Sequence, residues 1–310
     1  MSAAGIQSSI DATTRYCAVY GHPIAHSASP AMQNAGISAL GLNWRYLAFD
    51  VHPDSLREAI TGAAAMKYIG LNLTVPHKIL ALDIVDELDA SAATWGAVNT
   101  VRFETQVNGQ WLPLAQVSPA DVKTVRTRGY NTDADAITRS LREDLGIELK
   151  GANILLLGAG GAGRTAALKL ADEGVGQLHL VNRTQSKAEE VATEITRRFP
   201  DVKVSVAYPK SGNVDLVLNA TSLGLKTADA LPIDLALFPL NRARYAYDMI
   251  YRPAETSFLQ AAKAAGCRTA NGVGMLLYQG AKALEIWTGK TAPIEPMRAA
   301  LLAHVYGAAH

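Results

Sequence analysis

One turn restricts the chain more than any other feature. The apolar run Asn153-Ile154-Leu155-Leu156-Leu157 passes directly into Gly158-Ala159-Gly160-Gly161-Ala162-Gly163, and an Ala-rich stretch follows at once. A tight strand-to-helix turn needs backbone dihedrals that residues bearing a Cβ avoid. It also lets a phosphate reach backbone N–H groups with no side chain between them. The start of the helix then stabilises the anion through its unsatisfied N–H groups and its dipole. G-x-G-x-x-G alone is a weak signal, but between a strand and a helix it points to a dinucleotide pyrophosphate on a parallel α/β sheet. Gly158, Ala159, Gly160, Gly161, Ala162 and Gly163 are therefore candidate cofactor contacts.

The kind of dinucleotide is read at the tip of the next strand, where NAD-binding folds present a carboxylate to the ribose. Here residues 177–181 end in Asn182-Arg183-Thr184. No acid stands at that tip. Arg183, with Lys187 one helical turn beyond, offers positive charge and planar donors suited to a 2′-phosphate. The expected cofactor is NADP(H), held at its adenosine end by Asn182, Arg183, Thr184 and Lys187; a solvated surface charge is the alternative reading of Arg183.

Strand-like and helical runs alternate along the chain, which predicts an α/β fold. Strands are expected at 16–20, 44–51, 68–75, 97–103, 153–157, 177–181, 202–207, 215–219 and 245–249. Helices are expected from Ser29 (as cap) to the stop at Gly41, from Pro53, and at 86–93, 133–145, 186–199, 255–265, 274–288 and 296–306. Residues 104–129 are polar and irregular and suggest an extended hairpin or flap. At 310 residues the chain exceeds one typical domain of roughly 150. The expected division is a substrate-binding domain of 1–132 with 272–310, the strandless tail packing back on the first domain, and a Rossmann-like dinucleotide-binding domain of 133–271.

Lys plus Arg number 29 against 28 Asp plus Glu, so no basic excess exists to neutralise a nucleic acid. No apolar run approaches a membrane span, and residues 1–10 lack the basic and apolar regions of a secretory signal. Cys17 and Cys267 show neither zinc spacing nor a disulfide framework, which fits a reducing cytoplasm. None of the seven His forms a zinc pattern, so metal catalysis is not expected.

A nicotinamide enzyme also needs a group that exchanges the substrate's hydroxyl proton while hydride moves. Polar loops follow strands at 22–30, 72–78 and 99–100, and a fourth spans 131–133. In Ser27-Ala28-Ser29-Pro30 two hydroxyls sit where a helix begins and suit a substrate carboxylate, with simple capping by Ser29 as the plainer alternative. Lys78, after the turn at Pro76, is the candidate proton donor, and Asp133 is the carboxylate that would orient it. His77 is its rival as acid or base.

These residues resemble the shikimate dehydrogenase family nearly end to end. Ser27-Ala28-Ser29-Pro30 resembles its S-x-S-P carboxylate site, and residues 72–78 its N-x-T-x-P-x-K segment. Gly96-Ala97-Val98-Asn99-Thr100 resembles G-A-x-N-T, Asn131-Thr132-Asp133 N-T-D, and Asn182-Arg183-Thr184 the NADP-reading N-R-T. Asn219-Ala220-Thr221-Ser222 is similar to its N-A-T-S loop, and Gly272-Val273-Gly274-Met275-Leu276 with Gln279 to G-x-G-M-L-x-x-Q. The resemblance implies NADP-dependent interconversion of 3-dehydroshikimate and shikimate in a cleft between two domains. It implies Lys78 and Asp133 as the catalytic pair and Ser27 and Ser29 on the carboxylate. Asn72, Thr74, Asn99, Asp133 and Gln279 would hold ring hydroxyls, with Tyr251 approaching the substrate. Met249 would lie against the nicotinamide, and Thr221, Ser222 and Gly272 beside the cofactor. Partners beyond this small molecule are not implied, and a monomer or homodimer is expected. The alternatives are a quinate or dual quinate/shikimate dehydrogenase and, from another class, a non-catalytic ligand- and dinucleotide-binding regulatory module. Ala134 and Asn271 replace the family's usual Gly and Asp, His77 takes a place often aromatic, and residues 104–129 outrun the usual hairpin.

Overall fold

The computed structural model describes residues 10–226 and 228–307, so the reading of residues 1–9 as free of a secretory signal lies outside the described residues. The first elements are β1 (Arg15–Gly21), α1 (Ser29–Ala39), β2 (Trp44–Asp50), α2 (Leu56–Ala65), β3 (Gly70–Leu73), α3 (His77–Leu80), β4 (Glu87–Leu88), α4 (Ala90–Trp95), β5 (Thr100–Val107), β6 (Gln110–Pro113) and β7 (Arg126–Tyr130). There follow α5 (Asp133–Ser140), β8 (Asn153–Leu157), α6 (Gly161–Asp172), β9 (Gln177–Val181), α7 (Gln185–Arg198), β10 (Lys203–Ser205), β11 (Val214–Asn219), β12 (Ala243–Asp248), α8 (Ser257–Ala264), β13 (Arg268–Asn271), α9 (Val273–Thr288) and α10 (Ile294–Tyr306). The chain forms two compact units: one ends at Thr132 and resumes at Leu277, inside α9, and the other is Asp133–Leu276.

In the first unit the sheet order is β2-β1-β3-β5-β7-β4, with β6 paired to β5. β1 lies parallel to β2 and β3, whereas β5 runs antiparallel to β3, β6 and β7. β1 reads as a continuous apolar run because Cys17, Ala18, Val19 and Tyr20 are all buried, as in a strand covered on both faces. Part of that cover is Trp287, fully buried on α9, whose Nε1 donates to the Val101 carbonyl at 3.0 Å. The indole fits because residue 70 is glycine: a Cβ there would stand 2.1 Å from Nε1.

Three local expectations for this unit need correction. Ser29 does not cap α1; Ala28 holds the cap position, and the Ser27 Oγ accepts from the Ser29 N–H at 3.3 Å. Residues 86–93 are not one helix. Asp86 bonds Thr127, β4 pairs with β7, and Asp89 caps α4 by accepting from the Ser91 N–H at 3.0 Å. The polar stretch 104–129 does form the β5–β6 hairpin, but it also supplies β7, a strand inside the sheet. β7 looks polar because Arg126 and Arg128 alternate with buried Thr127 and Gly129; Arg126 is paired with Glu104 of β5 and Glu87 of β4, and Arg128 with Glu87 and with Asp89 at the start of α4.

The second unit is a six-stranded sheet in the order β10-β9-β8-β11-β12-β13, and each neighbouring pair is parallel. Leu155, Leu157, Val217, Ala246 and Phe258 belong to its core. Strand order reverses beside β8, with β9 on one side and β11 on the other; ligands of doubly wound sheets bind at such a point. β13 was not expected from the sequence: it is a short edge strand, and Arg268-Thr269-Ala270-Asn271 carries little apolar signal.

Glu104 is 1% exposed and accepts from Arg102 Nε at 2.9 Å and from Arg126 Nε at 2.8 Å. Arg126 also stacks over the Trp111 ring, 4.3 Å from its centroid. Replacing Glu104 by Ala leaves two facing guanidinium groups without their shared acceptor, an expected loss of about 3–5 kcal/mol in urea unfolding. A loss below about 1 kcal/mol, the range of an exposed pair, contradicts this assignment.

Candidate functional site

In the second unit, three loops meet at the ends of β8, β9 and β11. Gly158 has φ +105°, and a Cβ on it would lie 3.0 Å from the backbone of Ala220. A Cβ on Gly163 would stand 2.1 Å from the Gly158 carbonyl oxygen, so α6 can start where it does only with glycine there. Gly160 and Gly161 serve differently: nothing lies within 4 Å of a Cβ on either. They keep open the space in front of the first turn of α6, where backbone N–H groups have no helical partner. That is the shape a pyrophosphate needs.

The second loop is joined to the first through Asn182. Its Oδ1 accepts from the Ala159 N–H at 3.0 Å, and its Nδ2 donates to the Thr184 carbonyl at 2.7 Å. Asn182 thus braces the loop, while Arg183, Thr184 and Lys187 are exposed. Arg183 has no ion-pair partner among the described residues. Arg164, in the first turn of α6, is instead bound to Glu194 at 2.7 Å. An open glycine turn beside an unoffset Arg183 and Lys187 fits NADP(H).

Thr221 in the third loop bonds Asn219 Oδ1 through its N–H at 3.0 Å and its hydroxyl at 2.7 Å, and Ser222 is exposed. Half-buried Met249 donates its N–H to the Asn219 carbonyl at 2.9 Å. Gly272 is buried, and a Cβ on it would stand 2.0 Å from the Met249 carbonyl oxygen. Close packing of the two chain segments accounts for that glycine.

In the first unit the expected substrate residues lie at the ends of β1, β3 and β5. Asn72 and Asn99 are brought into one buried network. Tyr46 donates its hydroxyl to Asn72 Oδ1 at 2.7 Å, and Asn72 Nδ2 donates to Thr100 Oγ1 at 3.0 Å. Asn99 Oδ1 accepts from the Thr132 N–H at 2.8 Å, and its Nδ2 donates to the Thr132 hydroxyl at 2.9 Å. Ser27 is half-buried and Ser29 buried at the start of α1; Thr74 and Lys78 are half-buried on either side of the turn into α3. That turn is fixed by backbone: Thr74 accepts from the His77 N–H at 2.8 Å, and Lys78 accepts from the Val98 N–H at 2.8 Å. Gln279 is half-buried on α9. In the second unit, buried Asp133 opens α5 and Tyr251 is half-buried.

His77 departs from its expected role. Its side chain is fully buried, and neither ring nitrogen makes a hydrogen bond of good geometry. Burial holds its pKa below the ordinary 6.5, helped by nearby His22 and opposed by the Val51 carbonyl and Asp50. A ring with no exposed face cannot receive a substrate proton, so Lys78 is left as the candidate at this turn. Sequence reading missed Tyr46, Thr100 and Thr132 as the partners that orient the two asparagines. It also missed Asp248, whose only sign is an acid ending the apolar run Tyr245-Ala246-Tyr247.

Three family models match in order: the shikimate dehydrogenase substrate binding domain at residues 19–101, shikimate / quinate 5-dehydrogenase at 140–226, and the shikimate 5′-dehydrogenase C-terminal domain at 272–302. The shikimate dehydrogenase (NADP(+)) of Methanopyrus kandleri is 39% identical over 308 residues, covering 96% of this chain and 98% of its own. A crystal structure of a shikimate dehydrogenase in complex with NADP+ is similar with a TM-score of 0.81 and 36% identity, over 96% of this chain and 98% of the other. The shikimate dehydrogenase of Thermus thermophilus, solved with NADP(H) and shikimate, has a TM-score of 0.77 and 36% identity over 93% of this chain and 98% of its own.

A His77→Phe variant separates a buried filler from an acid–base group. It is expected to keep turnover within about threefold, because no transition-state interaction is removed. Since the folded protein holds the His77 pKa below 6.5, protonation favours the unfolded chain. The stability present above that value declines as pH falls below it, and His77→Phe should decline less. Melting temperatures of both proteins across the acid range check this; a large loss of kcat, or identical acid sensitivity, contradicts it.

Proposed function

The chain belongs to the shikimate dehydrogenase family, and from that membership we infer its chemistry: the reversible, NADP-dependent reduction of 3-dehydroshikimate to shikimate. It is an oxidoreductase acting on a CH–OH group, in the route to chorismate and the aromatic amino acids. The observation that carries this reading is the meeting of the glycine turn, Asn182-Arg183-Thr184 and the Thr221-Ser222 loop at the point where strand order reverses. Dinucleotide binding belongs to the Asp133–Leu276 unit, and most substrate contacts to the unit that ends at Thr132 and resumes at Leu277.

NADPH, when bound, supplies the hydride that reduces the carbonyl carbon. Lys78 gives the proton that the new alkoxide oxygen requires and takes it back in the oxidative direction. Asp133 is the carboxylate that the family resemblance pairs with Lys78 in this proton exchange. Ser27 and Ser29 hold the substrate carboxylate, and Asn72, Thr74, Asn99, Tyr251 and Gln279 bind around the ring. Asn72 is suited to this because its amide orientation is fixed: both donors are engaged, and Oδ1 keeps a second lone pair beside the Tyr46 bond. Gly158 to Gly163 would hold the pyrophosphate. Asn182, Arg183, Thr184 and Lys187 would hold the 2′-phosphate, and Met249, Thr221, Ser222 and Gly272 would serve the nicotinamide end. We read the enzyme as a cytoplasmic monomer or homodimer. Cys17 and Cys267 are buried free thiols, which suits a reducing compartment. Among the described residues no helix is long and apolar enough to cross a membrane.

Initial rates of shikimate oxidation with NADP+ test the reading directly. Lys78→Ala is expected to lower kcat by about 10²–10⁴, the usual contribution of a general acid or base, with NADPH affinity unchanged. Near-wild-type turnover in this variant removes Lys78 from the chemistry, and faster oxidation of quinate with NAD+ than of shikimate with NADP+ contradicts the substrate assignment.

A further inference from the structure

Asp248 ends β12 with a carboxylate shut off from solvent: the residue is 0% exposed. Three donors converge on it from three segments. Asn219, the last residue of β11, donates from Nδ2 to Oδ1 at 3.0 Å. The Ile250 N–H donates to the same oxygen at 3.0 Å. The Thr256 hydroxyl donates to Oδ2 at 2.7 Å, while its oxygen accepts from the Leu259 N–H at 3.3 Å as the cap of α8. Asn219 passes the constraint on, because its Oδ1 orients Thr221 and its carbonyl accepts from Met249. One carboxylate therefore ties together the ends of β11 and β12, the turn through Met249 and Ile250, and the first turn of α8.

Burial pushes the Asp248 carboxyl up to about 6 from its ordinary 3.8. The folded state thus holds this proton more tightly than the unfolded chain, and the stability gained from the protonated form is lost as pH rises through that interval. At neutral pH the carboxylate is a burden on the fold. What it supplies is an acceptor for three donors at once, which an aliphatic residue cannot provide. The segments it fixes are those assigned above to the nicotinamide end of the cofactor.

We propose that Asp248 is a positioning residue for the nicotinamide half of NADP(H), holding Met249 and the Thr221-Ser222 loop in place without touching the cofactor. The proposal rests on the assignment of Met249 and Thr221 under the function above. It predicts a split between the two halves of the dinucleotide. In Asp248→Ala, NADPH affinity should fall by about tenfold or more, from the loss of these bonds. Binding of 2′,5′-ADP, which carries only the adenosine half, should stay within about twofold, because Arg183 and the glycine turn are untouched. Asp248→Asn keeps an acceptor for Asn219 and Ile250 and should restore NADPH affinity to within about threefold of wild type. Thr256→Val removes one donor and should show the same split, more weakly, even if Asp248→Ala fails to fold. Equal losses of NADPH and 2′,5′-ADP in the folded variants, or no loss of NADPH, overturn the proposal. Met249→Ala separates the two possible failures. If it weakens NADPH while the Asp248 and Thr256 variants do not, the positioning role alone is wrong; if none of them weakens it, the assignment of Met249 falls as well.

Discussion

A contact that only glycine permits sets the geometry of the second unit. The Cα of Gly163 lies so close to the carbonyl oxygen of Gly158 that any side chain would collide with it. Helix α6 can therefore begin almost at the end of β8, with its N-terminus facing the room that Gly160 and Gly161 leave. Ala220 closes in against Gly158 from β11, and Asn182 reaches Ala159 from β9. The glycine turn proposed for the pyrophosphate, the Asn182-Arg183-Thr184 tip proposed for the 2′ position and the loop leading toward Met249 are placed by how three strand ends fit around one turn.

The first unit solves a different problem with buried polar groups. Asn72, Asn99, Thr100, Thr132 and Tyr46 satisfy one another, so two amide side chains acquire the fixed orientations that their proposed role toward a polar ring requires. Lys78 follows on a turn held by backbone bonds to Thr74 and Val98, and its neighbour His77 fills the interior. A cation carried on a backbone-fixed turn, in the same unit as two oriented amides, suits the proton exchange proposed for Lys78. Asp248 does in the second unit what Tyr46 and Thr132 do in the first, acting through the residues it orients.

The sequence made the dinucleotide turn legible because its chemistry is local: a strand, glycines and a helix stand consecutively, and Arg183 marks the next strand tip. Buried parallel strands such as β8 and β11 were equally plain as apolar runs. What stayed hidden depends on partners distant in the chain. β7 reads as polar until Glu87, Asp89 and Glu104 neutralise its arginines. The predicted helix at 86–93 yields its first residues to β4 because β7 lies alongside. Ser29 has the composition of a cap, yet Ser27 makes the bond. Tyr46 and Asp248 look like ordinary strand residues until the sheets assemble around them. Residue patterns offered Lys78 and Asp133 with His77 as a rival; family resemblance chose between them and alone supplied a role for Met249.

The central claim is that the glycine turn and the Arg183 tip together form a site built for a 2′-phosphorylated dinucleotide. Calorimetric titration of the wild-type protein and Arg183→Ala with NADP+ and NAD+ tests it most directly. Wild type should bind NADP+ well above NAD+. Arg183→Ala should lose about tenfold or more of its NADP+ affinity, one charge-assisted contact, with NAD+ binding unchanged. Equal affinity of the wild type for the two dinucleotides, or unaltered NADP+ binding in the variant, contradicts the account.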